Sequence, residues 1–239
     1  MGRGICPSPF IMSGLPLYKH NNTGMLMPET GSSDPNTRIC QGGVKMSKHI
    51  LIIQGQPDAS QPHYGHALAA AYEKGAQEGG HELRTIEVAK IDFPLLRGQN
   101  DFYQSEPLPE IKKSQDDIRW ADHLVIIYPL WMGSMPALLK GFFEQVFRPG
   151  FAMQPIDGGK RWQKLLKGKS AHIVVTMGMP AFIYRWYFGA HSLKSLERNI
   201  LRFTGVGPIR ESLIGMVEAS ASKREHWLVK MTEYGRAGL

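Results

Sequence analysis

Residues 123–147 read HLVIIYPLWMGSMPALLKGFFEQVF. Three patterns follow one another in this stretch. His123 to Tyr128 is a nearly pure apolar run of strand length, as expected of a strand covered on both faces. Tyr128-Pro129-Leu130-Trp131-Met132-Gly133-Ser134-Met135-Pro136 is a turn that carries a tryptophan, two methionines and two prolines. Pro136 to Phe147 then places Leu138, Leu139, Phe142, Phe143, Val146 and Phe147 at three- and four-residue spacings, the stripe of an amphipathic helix. A doubly buried strand that runs into such a helix belongs in a parallel sheet with helices on its faces.

The same alternation extends both ways. Upstream, His49 to Gln54 is a short apolar run, and Gly65 to Gly79 is an alanine-rich helical stretch ended by Gly79-Gly80. Glu82 to Val88 alternates like a strand, and Leu108 to Trp120 is helical. Downstream, Ala171 to Thr176 reads as a buried strand and Leu193 to Phe203 as a helix closed by Gly205. A strand near Glu211 to Glu218 and a helix from Lys223 to Tyr234 complete the series. Five strands and five helices in about 190 residues predict a doubly wound α/β domain over residues 46–239.

Residues 1–45 differ. They hold Pro7, Pro9, Pro16, Pro28 and Pro35, many small polar residues and no apolar periodicity, which predicts a disordered extension. A secretory signal needs a continuous apolar stretch of about 7–15 residues, and the prolines interrupt the one candidate, Ile5 to Tyr18. Met46-Ser47-Lys48, followed directly by a strand, has the look of a natural beginning.

Bulk properties narrow the function. The chain has 239 residues, 42% apolar and 21% charged, enough for one well-buried domain. No apolar run reaches the roughly 20 residues of a membrane helix, so no membrane insertion is expected. The formal charge of +7 is spread along the chain without a lysine- or arginine-rich block. That favours phosphate-bearing small ligands, or solubility, over nucleic acid. Cys6 and Cys40 are the only cysteines, both before Met46. A disulfide framework, a zinc site or a thiol redox centre in the main domain is excluded, no metal is expected, and the cytoplasm is the default compartment.

In doubly wound sheets ligands bind beyond the carboxyl ends of the strands, where strand order reverses. Three segments fall there. Gln54 to Gly65 is a small polar loop leading into a helix, whose free N–H groups suit a phosphate; it is not a dinucleotide fingerprint, since G-x-G-x-x-G is missing. Tyr128 to Pro136 needs a flat apolar ligand or a partner chain to cover its exposed side chains. Thr176 to His191 holds six rings in the ten residues from Phe182 onward, with neither helical nor alternating spacing. It reads as a lid over a flat ligand, with Tyr184 and His191 as its polar members.

These segments, in this order, resemble the NAD(P)H quinone dehydrogenase (DT-diaphorase) family of flavodoxin-like proteins, from about Lys48 to Tyr234. The family's aromatic-Pro-Leu, Pro-Ala-x-Leu-Lys-Gly and Glu-x-Val-Phe pattern is reproduced without a gap by Tyr128-Pro129-Leu130, Pro136-Ala137-Leu138-Leu139-Lys140-Gly141 and Glu144-Gln145-Val146-Phe147. The resemblance implies a five-stranded parallel sheet of order 2-1-3-4-5 with helices on both faces. It implies a bound flavin, FAD by family precedent with FMN as the other choice, NAD(P)H as hydride donor, a quinone-type acceptor and a homodimer with shared pockets. By the same resemblance, Pro129, Leu130, Trp131, Met132 and Gly133 hold the isoalloxazine ring, and Thr176, Met177, Gly178 and Met179 line its pyrimidine edge. Gln56, His63, Tyr64 and Gly65 belong to the flavin phosphate loop. Tyr184 corresponds to the catalytic tyrosine, a hydrogen-bond donor to the reduced flavin. His191, one residue beyond the family's histidine, would be the proton donor.

The chain departs from the family where Gln56 replaces a histidine and where His63, Tyr64 and Gly65 stand in place of Ser, Phe and Asn. Trp131 and Met132 replace a Gln-Trp pair. The family also contains ancillary regulators of potassium-efflux systems and azo- or nitro-reducing flavoproteins, which are the alternatives. A flavodoxin-type electron carrier fits less well, because such carriers are usually acidic and their Thr-x-Thr-Gly-type phosphate loop is missing here.

Overall fold

The structure, a computed structural model, describes residues 47–239. The extension expected over residues 1–45 lies outside them. In chain order the elements are β1 (His49–Gln54), α1 (Tyr64–Glu78), β2 (Glu82–Glu87), α2 (Gln99–Tyr103), α3 (Pro109–Trp120), β3 (His123–Pro129) and α4 (Ala137–Val146). There follow β4 (Met153–Ile156), β5 (Arg161–Lys164), β6 (Ser170–Thr176), α5 (Ala181–Trp186), α6 (His191–Ser195), α7 (Arg202–Thr204), β7 (Ile209–Ile214) and α8 (Ala221–Ala237).

Five strands form one all-parallel sheet in the order β2-β1-β3-β6-β7. Counted among themselves these strands run 2-1-3-4-5, the order that the family resemblance implies. Strand residues alternate between two cores. Leu51, Ile53, Leu124, Ile126, Ile173 and Val175 meet residues of α3 and α4 on one face. Ile50, Ile52, Val125, Ile127 and Val174 meet residues of α1 and α8 on the other. The inner strands β1, β3 and β6 therefore read as nearly unbroken apolar runs because both faces are covered.

Side-chain periodicity does not reveal how closely α1 and α8 cross. A Cβ on Gly75 would lie 1.9 Å from the Thr232 carbonyl oxygen, and one on Gly235 would lie 2.0 Å from that of Tyr72. Only glycine permits the two backbones to touch there.

Besides the short helix α2, which no apolar periodicity marks, four elements depart from the sequence reading. The edge strand ends at Ile214, not Glu218. Gly215 leaves the sheet against the backbone of Met179 to Ala181, and Met216 turns at φ 55°. The apolar Met216 and Val217 continue the alternation in sequence but not in the sheet. The helix expected over Leu193 to Phe203 is divided into α6, a wider π-type turn over Leu196–Leu201, and α7, which Gly205 closes at φ 110°. The ring-rich run is partly regular after all, since Ala181–Trp186 is helix α5. Finally, β4 and β5 form a separate antiparallel pair. That pair is short and polar, with Pro155 inside, and its alternation is too weak to read.

Candidate functional site

Strand order reverses between β1 and β3, and an open cleft of about 450 Å³ sits there, beyond their carboxyl ends. Its first wall is the loop from β1 to α1. The Gly55 N–H donates to the Ile127 carbonyl (2.7 Å), holding the loop's root on β3, and Gln56 lines the cleft while nearly buried. His63 precedes α1 and donates its backbone N–H to His66 Nδ1 (3.0 Å). The first-turn N–H groups of Tyr64 and Gly65 have no partner within the helix, as at any helix start, and both residues line the cleft. The Tyr64 hydroxyl donates to the Arg224 carbonyl (2.9 Å), and burial pushes it up to about 12.

Within this loop, Asp58 gathers its neighbours' donors. Its carboxylate accepts from the Ser60 N–H (2.8 Å), the Ser60 hydroxyl (2.5 Å) and Gln61 Nε2 (3.2 Å), and lies 2.8 Å from His63 Nε2. The Ser60 hydroxyl and N–H, then His63 and Gln61, hold that carboxyl well below the usual range.

The second wall follows β3. The Leu130 N–H donates to the Thr176 carbonyl (2.8 Å), so Pro129 and Leu130 remain tied to the sheet. Trp131 and Ser134 exchange backbone hydrogen bonds of 2.8 Å each around Met132 (φ 49°) and Gly133 (φ 76°). Two successive positive φ angles make a primed turn. Pro129, Leu130 and Trp131 thus form an apolar shelf along the cleft. Met132 and Gly133, expected with them, sit at the turn and do not line it; the Met132 side chain is fully exposed.

The third wall follows β6. Thr176, Met177 and Gly178 line the cleft, with the Met177 N–H donating to the Ile214 carbonyl (2.9 Å) and its side chain buried. A Cβ on Gly178 would meet nothing within 4 Å, so that backbone faces open space. Met179, the fourth residue expected here, packs against the core instead of lining the cleft.

A fourth wall was missed in the sequence. After β7 the chain turns inward, bringing Val217, Glu218 and, from α8, Arg224 to the cleft. Arg224 Nη1 donates to the Val217 carbonyl (2.9 Å). The signal available was topological: the loop after the last strand also leaves a carboxyl end.

The two residues expected to do chemistry are not brought together in the cleft. Tyr184 is 1% exposed, in the core, and its hydroxyl accepts the Leu193 N–H (3.2 Å). His191 opens α6 and is exposed, outside the cleft lining. The rings around them divide in the same way: Phe182, Trp186, Tyr187 and Phe188 are exposed. Among the described residues, no group of three or more His, Cys, Asp or Glu could hold a metal, and no helix is long and apolar enough to cross a membrane.

An apolar shelf, free N–H groups at a helix start and open backbone at Gly178 suit a flat ring system that carries a phosphate. Two buried polar side chains also stand at this end of the sheet without hydrogen-bond partners: the Gln54 amide and the Tyr128 hydroxyl. Residues 48–234 match the family model described as flavodoxin-like fold. The chain belongs to that family. It is 25% identical over 185 residues to a Haemophilus influenzae protein named an uncharacterized NAD(P)H oxidoreductase, covering 76% of this chain and 90% of that one. It is 27% identical over 186 residues to an FMN-dependent NADH:quinone oxidoreductase of Nitratidesulfovibrio vulgaris, covering 69% and 85%. Among solved structures, an NAD(P)H:quinone oxidoreductase from Methanothermobacter marburgensis superposes with a TM-score of 0.68 at 24% identity, over 80% of this chain and 98% of that one. That likeness bears on the fold.

Proposed function

We propose that this flavodoxin-like protein is a flavin-dependent NAD(P)H dehydrogenase that passes hydride to a quinone-type acceptor in the cytoplasm. The observation that carries this reading is the cleft at the β1/β3 reversal, lined together by Gln56, His63, Tyr64 and Gly65, by Pro129 to Trp131 and by Thr176 to Gly178. The names of its relatives as NAD(P)H and quinone oxidoreductases support it.

A bound flavin supplies the hydride and electron chemistry. The chain's residues do the rest. The shelf of Pro129, Leu130 and Trp131 offers a flat apolar face and keeps water from it. The N–H groups at the start of α1 and the positive end of that helix hold a phosphate. The backbone of Gly178, which faces open space, would meet the ring's polar edge. Glu218 and Arg224 close the far side, where the guanidinium stays in place through the Val217 carbonyl.

The exposed rings support a further part of the reading, a homodimer. Trp186 is 81% and Tyr187 82% exposed, with Phe182 and Met132 also outward. A second copy would cover this apolar surface. FAD is the flavin we favour, against the FMN named for some relatives. A second reading, a potassium-efflux ancillary protein, draws on the same exposed surface as a protein contact. A relative of that name in Enterobacter is 31% identical over 137 residues, 63% of its length.

Purification tests the reading directly. A yellow protein with one flavin per chain that oxidises NAD(P)H with a quinone supports it. A colourless protein that takes up neither FAD nor FMN ends it. Flavin uptake without quinone-dependent NAD(P)H oxidation would favour the ancillary role.

A further inference from the structure

The formal charge of +7 is less evenly spread than the sequence reading holds. Residues 160–169 read KRWQKLLKGK, five cations without an acid. Lys160, Arg161, Lys164 and Lys167 are exposed, while Lys169 is engaged by the Arg119 and Ala121 carbonyls. The fold adds Arg202 to this group. Lys164 Nζ donates to the Arg202 carbonyl (2.7 Å), and Lys164 and Lys167 both come within 3.1 Å of where a Cβ on Gly205 would stand. Asp157 pairs with Arg161 and Glu197 with Arg202; among the described residues no carboxylate pairs with Lys160, Lys164 or Lys167.

Apolar side chains stand among these cations. Leu165 is 39% and Phe203 38% exposed, and the half-buried Trp162 ring lies 6.2 Å from that of Phe203. An apolar cavity of about 120 Å³ shares Phe203 with this face, and Phe143, Phe147 and Met153 are among its other walls.

We propose that the face made by β5, the turn after it and α7 is an interaction surface for an anionic lipid bilayer, touched from outside without insertion of a helix. This surface is independent of the flavin reading. Each lysine or arginine close to a negatively charged bilayer strengthens binding about 5-fold, about 1 kcal/mol. The long stems let the charges stay among headgroups while apolar neighbours reach the acyl boundary. Leu165, Phe203 and the cavity beside them favour lipid over nucleic acid, whose backbone offers phosphates but no acyl chains. A second copy of the chain fits poorly, because a two-fold contact would set the same cations against one another.

The test is sedimentation of the full chain, flavin included, with vesicles of phosphatidylcholine alone or of phosphatidylcholine and phosphatidylglycerol at about 7:3. Binding to the mixed vesicles should exceed that to the neutral ones at least about 10-fold, and weaken about 10-fold between roughly 0.1 and 0.5 M salt. Lys164→Gln with Lys167→Gln should weaken it about 25-fold, while Lys164→Arg with Lys167→Arg should hold it within about 2-fold. Lys112→Gln with Lys113→Gln, an equal loss of charge at exposed positions of α3, should also stay within about 2-fold. Leu165→Ser should weaken vesicle binding about 3-fold and leave binding to heparin, a soluble polyanion, unchanged. Equal binding to both vesicle types, no binding to the mixed ones, or an equal loss in the α3 pair would overturn the proposal. So would heparin binding as tight as vesicle binding with Leu165→Ser silent on both, which would make the face a polyanion site. Flavin content, read from the absorbance of the same samples, should not change in any variant, so failure of this surface leaves the flavin reading standing.

Discussion

The two ends of the central sheet differ in how far they pair their polar groups. Toward the amino end, two histidines are folded into the protein. His172 is fully buried, with Nδ1 3.2 Å from the Leu239 carbonyl and Nε2 2.9 Å from Ser212 Oγ; His123 is buried with Nδ1 2.7 Å from Ser170 Oγ. At the carboxyl end the Gln54 amide and the Tyr128 hydroxyl have no partners, helix α1 starts with free N–H groups, and the chain opens into the cleft. The amino end pairs three of these four ring nitrogens within the protein and leaves only His123 Nε2 without a partner. The carboxyl end holds its polar groups for a ligand, as expected where strand order reverses.

The largest expected effect comes from the amino end and from acid. Burial, then the charges of His172, Lys48 and Arg210, pushes His123 down to about 3, and burial pushes His172 down to about 4. Both are neutral in the folded state at any pH where the unfolded chain, near ~6.5, begins to protonate. The unfolded state then binds more protons, so stability falls as pH drops below about 6.5, by up to ~1.4 kcal/mol per pH unit for each histidine. Melting temperatures between pH 7.5 and 4.5 should fall steeply, and His172→Gln should flatten the slope. An unchanged slope in that variant would mean that His172 is charged or solvated in the fold.

Filling the open end should act next. A ligand at 100 times its Kd stabilises by about 2.7 kcal/mol, roughly 5–10 °C for a domain of this size. Saturating flavin should give that rise at pH 7.5 and leave the acid slope of the histidines in place, because the two ends are separate. A flavin-dependent change in the slope itself would show that the ends communicate.

A third contrast lies along the carboxyl edge. Exposed Trp186 and Tyr187 are expected to be covered by a second copy. Changing both to serine should halve the mass seen by light scattering to about the 26.8 kDa of one chain, with little change in the melting temperature of the monomer. A chain that already scatters as a monomer before substitution would break this reading of the exposed rings.

The sequence made the sheet readable because its inner strands are doubly buried, and runs such as Leu124 to Ile127 have no polar residue to confuse them. The three strand-end segments were legible for the same reason: topology, not side-chain chemistry, puts them at the cleft. What escaped was set by backbone. Met132 and Gly133 follow the shelf residues in sequence, but a primed turn takes them away from the cleft. Met216 and Val217 continue an apolar alternation, but Gly215 breaks it and sends Glu218 to the ligand side. Nor could the spacing of Tyr184 say which way its hydroxyl points.

That last point yields the smallest effects and the closest test. With its hydroxyl accepting the Leu193 N–H inside the core, Tyr184 is placed for packing. Tyr184→Phe should leave that N–H unsatisfied and cost about 1–2 kcal/mol of stability, while flavin reduction at saturating NAD(P)H stays within about 2-fold. His191 is exposed, so His191→Gln should alter stability by less than about 0.5 kcal/mol. Its effect on reduction should also be under about 3-fold unless a second copy carries it to the neighbouring cleft. Stopped-flow reduction of the bound flavin distinguishes these cases, because weaker nicotinamide binding vanishes at saturation and a lost hydrogen bond or proton donor does not. A fall of 10-fold or more, about 1.4 kcal/mol of barrier, in Tyr184→Phe would show that the hydroxyl leaves Leu193 to meet the ligand. The same fall in His191→Gln alone, with the melting temperature unchanged, would give the histidine the chemical role and make it the one that the dimer must deliver.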